Sequence, residues 1–347
     1  MSATTEPTDS PAKPQPLTIA QIAELAGVST ATVSKVVNGR TTVAPETRTL
    51  VESLINRHGY RRQKKRPGAA PLIDLVFHEL EGEYAMEIIK GVERVAQEHR
   101  LAVVLSELQG RHTPGRGWIE DVLSRRPTGV IAVFSGPTDS QRAQLFTRDI
   151  PLVLVDPTGD PGHQVPSVGA GNWSGGLSAT RHLLDLGHRR IAIITGPAHA
   201  LSGRARLDGY RAALDAAGVP IDPALIAEGD FNIADGMAHA RRLLALPEPP
   251  TAIFASNDAQ AVGVYQAAGQ AGVRIPHDLS VVGFDDLPMA ERLFPPLTTV
   301  RQPLTDMAAA ATRMLVELAR GEGPLPQDRL ELATKLVVRG STTRPAR

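Results

Sequence analysis

From Leu72 onward the chain alternates short apolar runs with amphipathic stretches, and that alternation leaves few folds open. Strand-like runs occupy 73–77, 101–105, 129–134, 152–156, 190–195, 252–255 and 279–283. Helical patterns stand among them at 86–98, 119–125, 174–186, 204–217, 235–246, 259–270 and 307–320. Strands that alternate with helices specify parallel sheets covered on both faces. The pattern divides into two units, roughly 72–162 and 167–286, each predicted to be an open sheet whose strand C-termini face a cleft where ligands bind. The expected bulk of the molecule is thus a two-lobed α/β domain over 72–340.

Ahead of it, residues 17–60 read as a small helical module with its own core. The first helix is predicted over 19–26, with Thr18 placed to cap its free N–H groups. Gly27 ends it, because the residue just past a helix commonly needs positive φ. Val28-Ser29 then leads into a second helix capped by Ser29, and a third runs from about Pro45 to His58. So short a connection forces the second helix to cross the first steeply, the helix-turn-helix arrangement. Ile22, Ala23, Val28, Val33, Val36, Leu50, Val51 and Leu54 recur at helical spacing as the expected core. Outside it stand Thr30, Ala31, Thr32, Ser34 and Lys35, all small, polar or basic. Such a helix fits a DNA major groove, its N-terminal side chains reaching base edges while Ser, Thr and Lys meet phosphates. The same pattern also describes an ordinary helical hairpin with a solvated face.

The string TIAQIAELAGVSTATVSKVVNG, followed by VAPETRTLVE and HGY, resembles the DNA-binding head of the lactose-repressor/galactose-repressor family of bacterial transcription factors. By that resemblance Thr30, Ala31 and Thr32 begin the recognition helix, Lys35 supplies a basic contact, and Asn38 ends it. The basic run that follows places Tyr60, Arg61, Arg62, Lys64, Lys65 and Arg66 where they can neutralise phosphates. Here the chain departs from the family, which continues after Gly-Tyr with Pro-Asn and a hinge helix bearing a leucine wedge. This chain has Arg61-Arg62, then Pro67-Gly68, and no leucine before Leu72. Backbone electrostatics is the expected substitute for an apolar wedge. The organisation read from these features is a disordered tail at 1–16, a DNA-binding domain at 17–62, a basic linker at 63–71, the α/β domain at 72–340 and a tail at 341–347.

The segments IPLVLVDP, VPSVGAGNWSGG, LGHRRIAIITGP, GRARLDGYRAAL, IFASNDAQAVGV and LSVVGFDDLPMA, followed by PPLTTVRQP, resemble the same family's effector domain, which is similar to periplasmic sugar-binding proteins. That likeness nominates a pocket. Sugars present many hydroxyls and an apolar ring face, so they need bidentate polar partners and an aromatic platform. Asp156 and Asp285 end predicted strands and can each accept two hydroxyl hydrogen bonds, and Arg206 can donate a bidentate pair. Asn257 adds an amide and Phe231 a ring to stack on. His78, Glu79, Tyr84 and Gln302 are further candidates. Where the family commonly has Asp, this chain has Gly171 before Asn172, and Trp173 is the expected replacement surface. By residue type alone, Asp285 equally caps a loop, Arg206 pairs on a surface, and Phe231 packs in a core.

Lys+Arg and Asp+Glu are 37 each, so net charge does not announce a nucleic-acid partner and any basic surface must be local. The absence of cysteine excludes disulfides and thiol catalysis. No apolar run is long enough to span a membrane, and residues 1–16 lack the marks of a secretory signal, so a cytoplasmic protein is expected. Gly169-Ala170-Gly171 with Gly175 superficially resembles a dinucleotide turn, but Thr195-Gly196 stands where its acidic residue belongs. No enzyme activity, cofactor or metal is therefore expected. The resemblance implies a homodimeric repressor on double-stranded operator DNA, released when a small sugar closes the cleft. No leucine-patterned helix closes the sequence, so a dimer and not a tetramer is expected. Two alternatives remain compatible: a ligand that acts as corepressor, and a sugar-binding protein whose DNA-binding module is degenerate.

Overall fold

A computed structural model describes residues 17–37, 43–58, 69–80, 82–108, 117–133, 137–157, 165–321 and 327–346. They fall into two compact units, one comprising the head together with Thr138–Asp149, the other the remainder from Ala70.

The head holds α1 (Ile19–Ala26), α2 (Thr30–Val37) and α3 (Pro45–His58). Thr18 and Gln21 form a reciprocal capping box at the start of α1, and Gly27 ends it at φ 63°. The Ser29 hydroxyl accepts from the Thr32 backbone N–H at 3.1 Å and so opens α2. Ile22, Ala23, Val33, Val36, Val37 and Val51 are buried together, with Val28, Leu54 and Ile55 packed around them. Leu50 is not in this core but 46% exposed. Val51, Leu54 and Ile55 define the inward face of α3, and a residue one position earlier is turned about 100° away from Val51. Val37, absent from the predicted core, closes it at the last turn of α2.

In the second unit β1 (Ala70–Phe77), α4 (Gly82–Glu98), β2 (Ala102–Glu107), α5 (Gly117–Arg125) and β3 (Pro127–Val133) follow in order. The short helix α6 (Asp139–Phe146), which is grouped with the first unit, carries its own capping box from Thr138 and Gln141. Then come β4 (Leu152–Val155), β5 (Ser167–Ala170), α7 (Asn172–Asp185), β6 (Ile191–Thr195), α8 (Leu201–Ala216), β7 (Ile226–Glu228), α9 (Ile233–Leu244), β8 (Ala252–Ala255), α10 (Asp258–Gln270) and β9 (Ser280–Asp285). The chain finishes with α11 (Pro288–Arg292), β10 (Thr298–Arg301), α12 (Leu304–Arg320), β11 (Arg329–Leu332) and β12 (Lys335–Val337). The two sheets run in the order β11-β5-β4-β3-β1-β2 and β12-β10-β9-β8-β6-β7. Within these sheets β12 pairs antiparallel with β10, and the other pairings are parallel. Fully buried runs such as β6 and β9 are what a sheet covered on both faces requires.

The expected division at 162–167 is corrected. Strand β5 begins at Ser167 yet pairs with β4 in the first sheet. After β10 the chain returns to the first lobe, where Leu304, Met307, Ala308, Ala311 and Leu315 of α12 share one core with Ile73, Leu75, Ile88 and Val92. It then adds β11 to the first sheet and β12 to the second. The polypeptide thus passes between lobes three times, between β5 and α7, between β10 and α12, and between β11 and β12. Gly91 lets α4 and α12 meet closely, since a Cβ there would lie 2.2 Å from the Thr305 carbonyl oxygen. Strands β5, β7, β10, β11 and β12 were not among the predicted elements. Each is only three or four residues long, too short to show a period, and none is an unbroken apolar run like the equally short β4 and β8.

Candidate functional site

The cleft is built from strand ends and helix starts of both lobes. Asp156 follows β4 at φ 46°, while Asp285 ends β9 at φ 111°. Tyr84, in the first turn of α4, donates its hydroxyl to Asp156 Oδ2 at 3.1 Å. From the other lobe, Gln302 Nε2 donates to Asp285 Oδ1 at 2.6 Å. Arg206 reaches this cluster from α8, which lies unusually close to α7. A Cβ on Gly209 would fall 2.2 Å from the Trp173 carbonyl oxygen, and one on Gly176 2.3 Å from that of Arg206. Only glycine at both positions permits that approach.

The guanidinium is held on several sides. Nε donates to Asn172 Oδ1 at 2.8 Å and Nη1 to the Ser256 carbonyl oxygen at 2.5 Å. Its central carbon lies 3.8 Å from the Phe284 ring centroid and 5.8 Å from that of Phe231. Asn257 caps α10, its Oδ1 accepting from the Gln260 N–H, while its Nδ2 donates to the Phe231 carbonyl oxygen at 2.8 Å. That bond spans a Phe231 backbone held at φ 55°, with the ring over Gly196.

Burial dominates the electrostatics. It pushes the Asp285 carboxyl up to about 7; Arg206 and the Gln302 amide oppose the rise, and the charge on Asp156 adds to it. Tyr84 is held well above the usual phenol range, first by burial and then by Asp156 and Asp285, so it remains a neutral donor. Beside Asp285 and Gln302 opens a cavity of about 420 Å³, which Glu87, Asp286, Glu291 and Asp306 also line.

Seven of the ten predicted pocket residues therefore belong to one network: Tyr84, Asp156, Arg206, Phe231, Asn257, Asp285 and Gln302. His78, half-buried, and Glu79, exposed, follow the end of β1. Trp173 is 47% exposed and is not among the groups joined here. Sequence reasoning passed over Asn172, Ser256 and Phe284 as site residues. Phe284 had a legible signal, being adjacent to Asp285 and so on the opposite face of the same strand. The Ser256 contribution is a backbone carbonyl and leaves no mark in side-chain identity.

On the head, Thr30, Ala31 and Lys35 are exposed along α2, and Thr32 and Ser34 are partly so, while Val33 and Val36 face the core. Ser29 and Thr18 are exposed but already bonded within their caps. Asn38, Tyr60, Arg61, Arg62, Lys64, Lys65 and Arg66 lie outside the described residues. Among the described residues no helix is long and apolar enough to cross a membrane, and no group of acidic or histidine side chains is arranged to hold a metal.

Comparison with known proteins agrees with both halves. Residues 18–63 match the family described as "Bacterial regulatory proteins, lacI family", and residues 180–342 match the "Periplasmic binding protein-like domain". The ribose operon repressor of Escherichia coli (strain K12) is 34% identical over 330 residues, 93% of this chain and 99% of the relative. A solved complex of the transcriptional regulator CelR with cellobiose is 35% identical, with TM-score 0.72 over 94% of this chain and 100% of that one. The lac repressor dimer bound to operator and the anti-inducer ONPF is 26% identical, with TM-score 0.69 over 95% of this chain and 100% of that one. Two-sheet architecture, helix-turn-helix head and a relative aligned over nearly the whole length converge: the chain belongs to the lacI family of bacterial regulatory proteins.

Proposed function

We propose that this protein is a dimeric transcriptional repressor that binds operator DNA through α2 and lets go when a small sugar occupies the interlobe cleft. The observation that carries the ligand half is the network of Tyr84 with Asp156, Asp285 with Gln302, and Arg206 stacked on Phe284. It offers oriented donors and carboxylate acceptors, and the partly buried Phe231 ring beside Arg206 adds an aromatic surface, the set a polyhydroxylated ring needs. Thr30, Ala31 and Lys35 supply the exposed face of α2 for base edges and phosphates. The remaining predicted DNA contacts, in the segment from Tyr60 to Arg66, act on phosphates in this reading, and a two-fold dimer presents two α2 helices to a near-palindromic site. Ligand and DNA are linked reciprocally: each weakens the other by the same factor.

Fluorescence anisotropy with DNA from upstream of the protein's own gene, with and without mono- and disaccharides, tests this reading. Tight binding relieved by one sugar is the expected result. A sugar that tightens binding would reverse the sign of the switch, and no specific binding to any DNA would remove the repressor assignment. Arg206→Ala is expected to abolish the sugar response and keep operator binding, and Tyr84→Phe, which deletes one hydroxyl, to weaken the response without abolishing it. Loss of DNA binding in both variants would contradict the assignment.

A further inference from the structure

The carboxyl of Asp285 stands on an unusual piece of backbone. Asp285 has φ 111° and Asp286 φ 57°, two consecutive residues in the left-handed region that disfavours a side chain. Such a pair costs free energy and persists only where its surroundings over-determine it. What holds this turn therefore decides where the Asp285 carboxyl points.

At its start, the Asp285 carbonyl oxygen accepts from the Gln302 N–H at 3.2 Å. Over it, the Asp286 side chain accepts from Arg301 Nε at 2.5 Å, and Arg339 Nη2 stands 2.7 Å from its other oxygen. The exit is held by Asp258, a fully buried residue at the start of α10 and next to Asn257 of the ligand network. Asp258 Oδ2 accepts from the Leu287 N–H at 2.8 Å, and Oδ1 accepts from the Thr299 hydroxyl at 2.6 Å. The Leu287 N–H is the first donor after Asp286, so fixing its direction fixes the conformation of Asp286. Gly283 gives Asp258 room, since a Cβ there would lie 2.4 Å from Asp258 Oδ1. Burying this group is costly: desolvation, then the neighbouring Asp285, raises its pKa well above 3.8. Both of its bonds run to residues outside the ligand network.

We propose that Asp258 is a positioning residue of the ligand site: by tying Leu287 to Thr299 it holds the left-handed turn that aims Asp285 into the cleft. The inference rests on the reading of Asp285 as a ligand group and adds what keeps that group in place. A hydroxyl donates or accepts equally well. Asn in place of Asp258 can therefore accept from Leu287 with its oxygen and donate to Thr299 with its amide, whereas Ala can do neither.

The test reads Asp285 directly. In full-length protein carrying ¹³C at the aspartate carboxyls, the Asp285 signal is identified by its loss in Asp285→Asn and followed against pH without ligand, while ribose and cellobiose are titrated by calorimetry. Asp258→Ala should release the turn and bring the Asp285 titration from about 7 down toward 3.8. It should also weaken whichever sugar binds by about 30-fold, the effect of leaving a buried N–H without its acceptor. Asp258→Asn should restore both readouts. Thr299→Val keeps the side-chain volume and should move both in the same direction by a smaller step, which decides the point if the Ala variant does not fold. A folded Ala variant, or failing that the Val variant, with the Asp285 titration and sugar affinity of the parent would make Asp258 a packing residue and overturn the proposal. Failure of Asn to restore the Asp285 titration would do the same. If neither sugar binds the parent, it is the sugar reading that fails, and the Asp285 titration still decides this one.

Discussion

At the residue scale, Asp285 shows how a binding group is kept ready at a cost in stability. Its carboxyl is held at about 7 against an ordinary 3.8, chiefly by burial. The folded protein therefore keeps a proton that the unfolded chain has already lost between about pH 4 and 7. The contribution of this group to stability is full below that window and is lost as pH rises through it, up to about 4 kcal/mol for a shift of this size. Asp285→Asn removes the linkage, and Asn tolerates the positive φ at this position. Thermal unfolding in the absence of ligand should find the variant more stable than the parent at pH 8, with the difference fading toward pH 5. A difference that does not change with pH would show that Asp285 is ionised throughout. His188 has the opposite sign: burial lowers its pKa below 6.5, so its contribution is lost as pH falls below the unfolded value. Its ring bonds Thr251, Ser280 and the Thr343 carbonyl, so acid should loosen the C-terminal segment first.

At the scale of elements, the contact that ties the lobes together runs through α11. Glu83, at the start of α4, accepts from the Met289 backbone N–H at 2.6 Å and from Arg292 Nη1 at 3.0 Å. A carboxylate of one lobe thus caps a helix of the other, where the helix dipole favours it. Leu287, just before α11, is buried in the first lobe's core, whereas Ala290 is buried in the second's. Because Tyr84 is the next residue after Glu83, the latch and the ligand cluster share the same turn of α4. Glu83→Gln keeps one acceptor and loses the charge, a change of about 1 kcal/mol at a half-exposed site. The expected outcome is ligand affinity reduced roughly fivefold and a larger radius of gyration for the free protein by small-angle scattering. Unchanged values of both would place the interlobe equilibrium elsewhere.

For the whole molecule, the three passages between lobes decide how the α/β unit unfolds. Helix α12 completes the core of the first lobe although it follows ten strands in sequence, and β11 and β12 each edge a different sheet. The segment beyond β12 is bound as well: Ser341 Oγ accepts from the Thr298 N–H at 2.8 Å and donates to the Val281 carbonyl oxygen at 2.6 Å. Neither lobe is a continuous stretch of chain, so the two should lose structure together. Deleting residues 327–347 strips a strand from both sheets, and limited proteolysis should then cut in both lobes at similar rates. Protection of one lobe alone would mean that the lobes fold independently.

The sequence by itself determined most of the elements and the kinds of residue at the site. Capping at Thr18, the positive φ at Gly27, the α2 surface and the apolar strands are local properties, written in a few adjacent residues. Asp156, Arg206 and Asp285 were legible because each stands in a segment of recognisable family pattern. Tertiary structure alone decided which lobe each element joins. A three-residue strand such as β12 carries no mark of its sheet, and α12 presents the same amphipathic face whichever core receives it. It also decided that Leu50 stays outside the head core, that Asn172 and the Ser256 carbonyl hold Arg206, and that Glu83 joins the lobes. These depend on distances between residues far apart in the chain, and close packing rather than local propensity sets them.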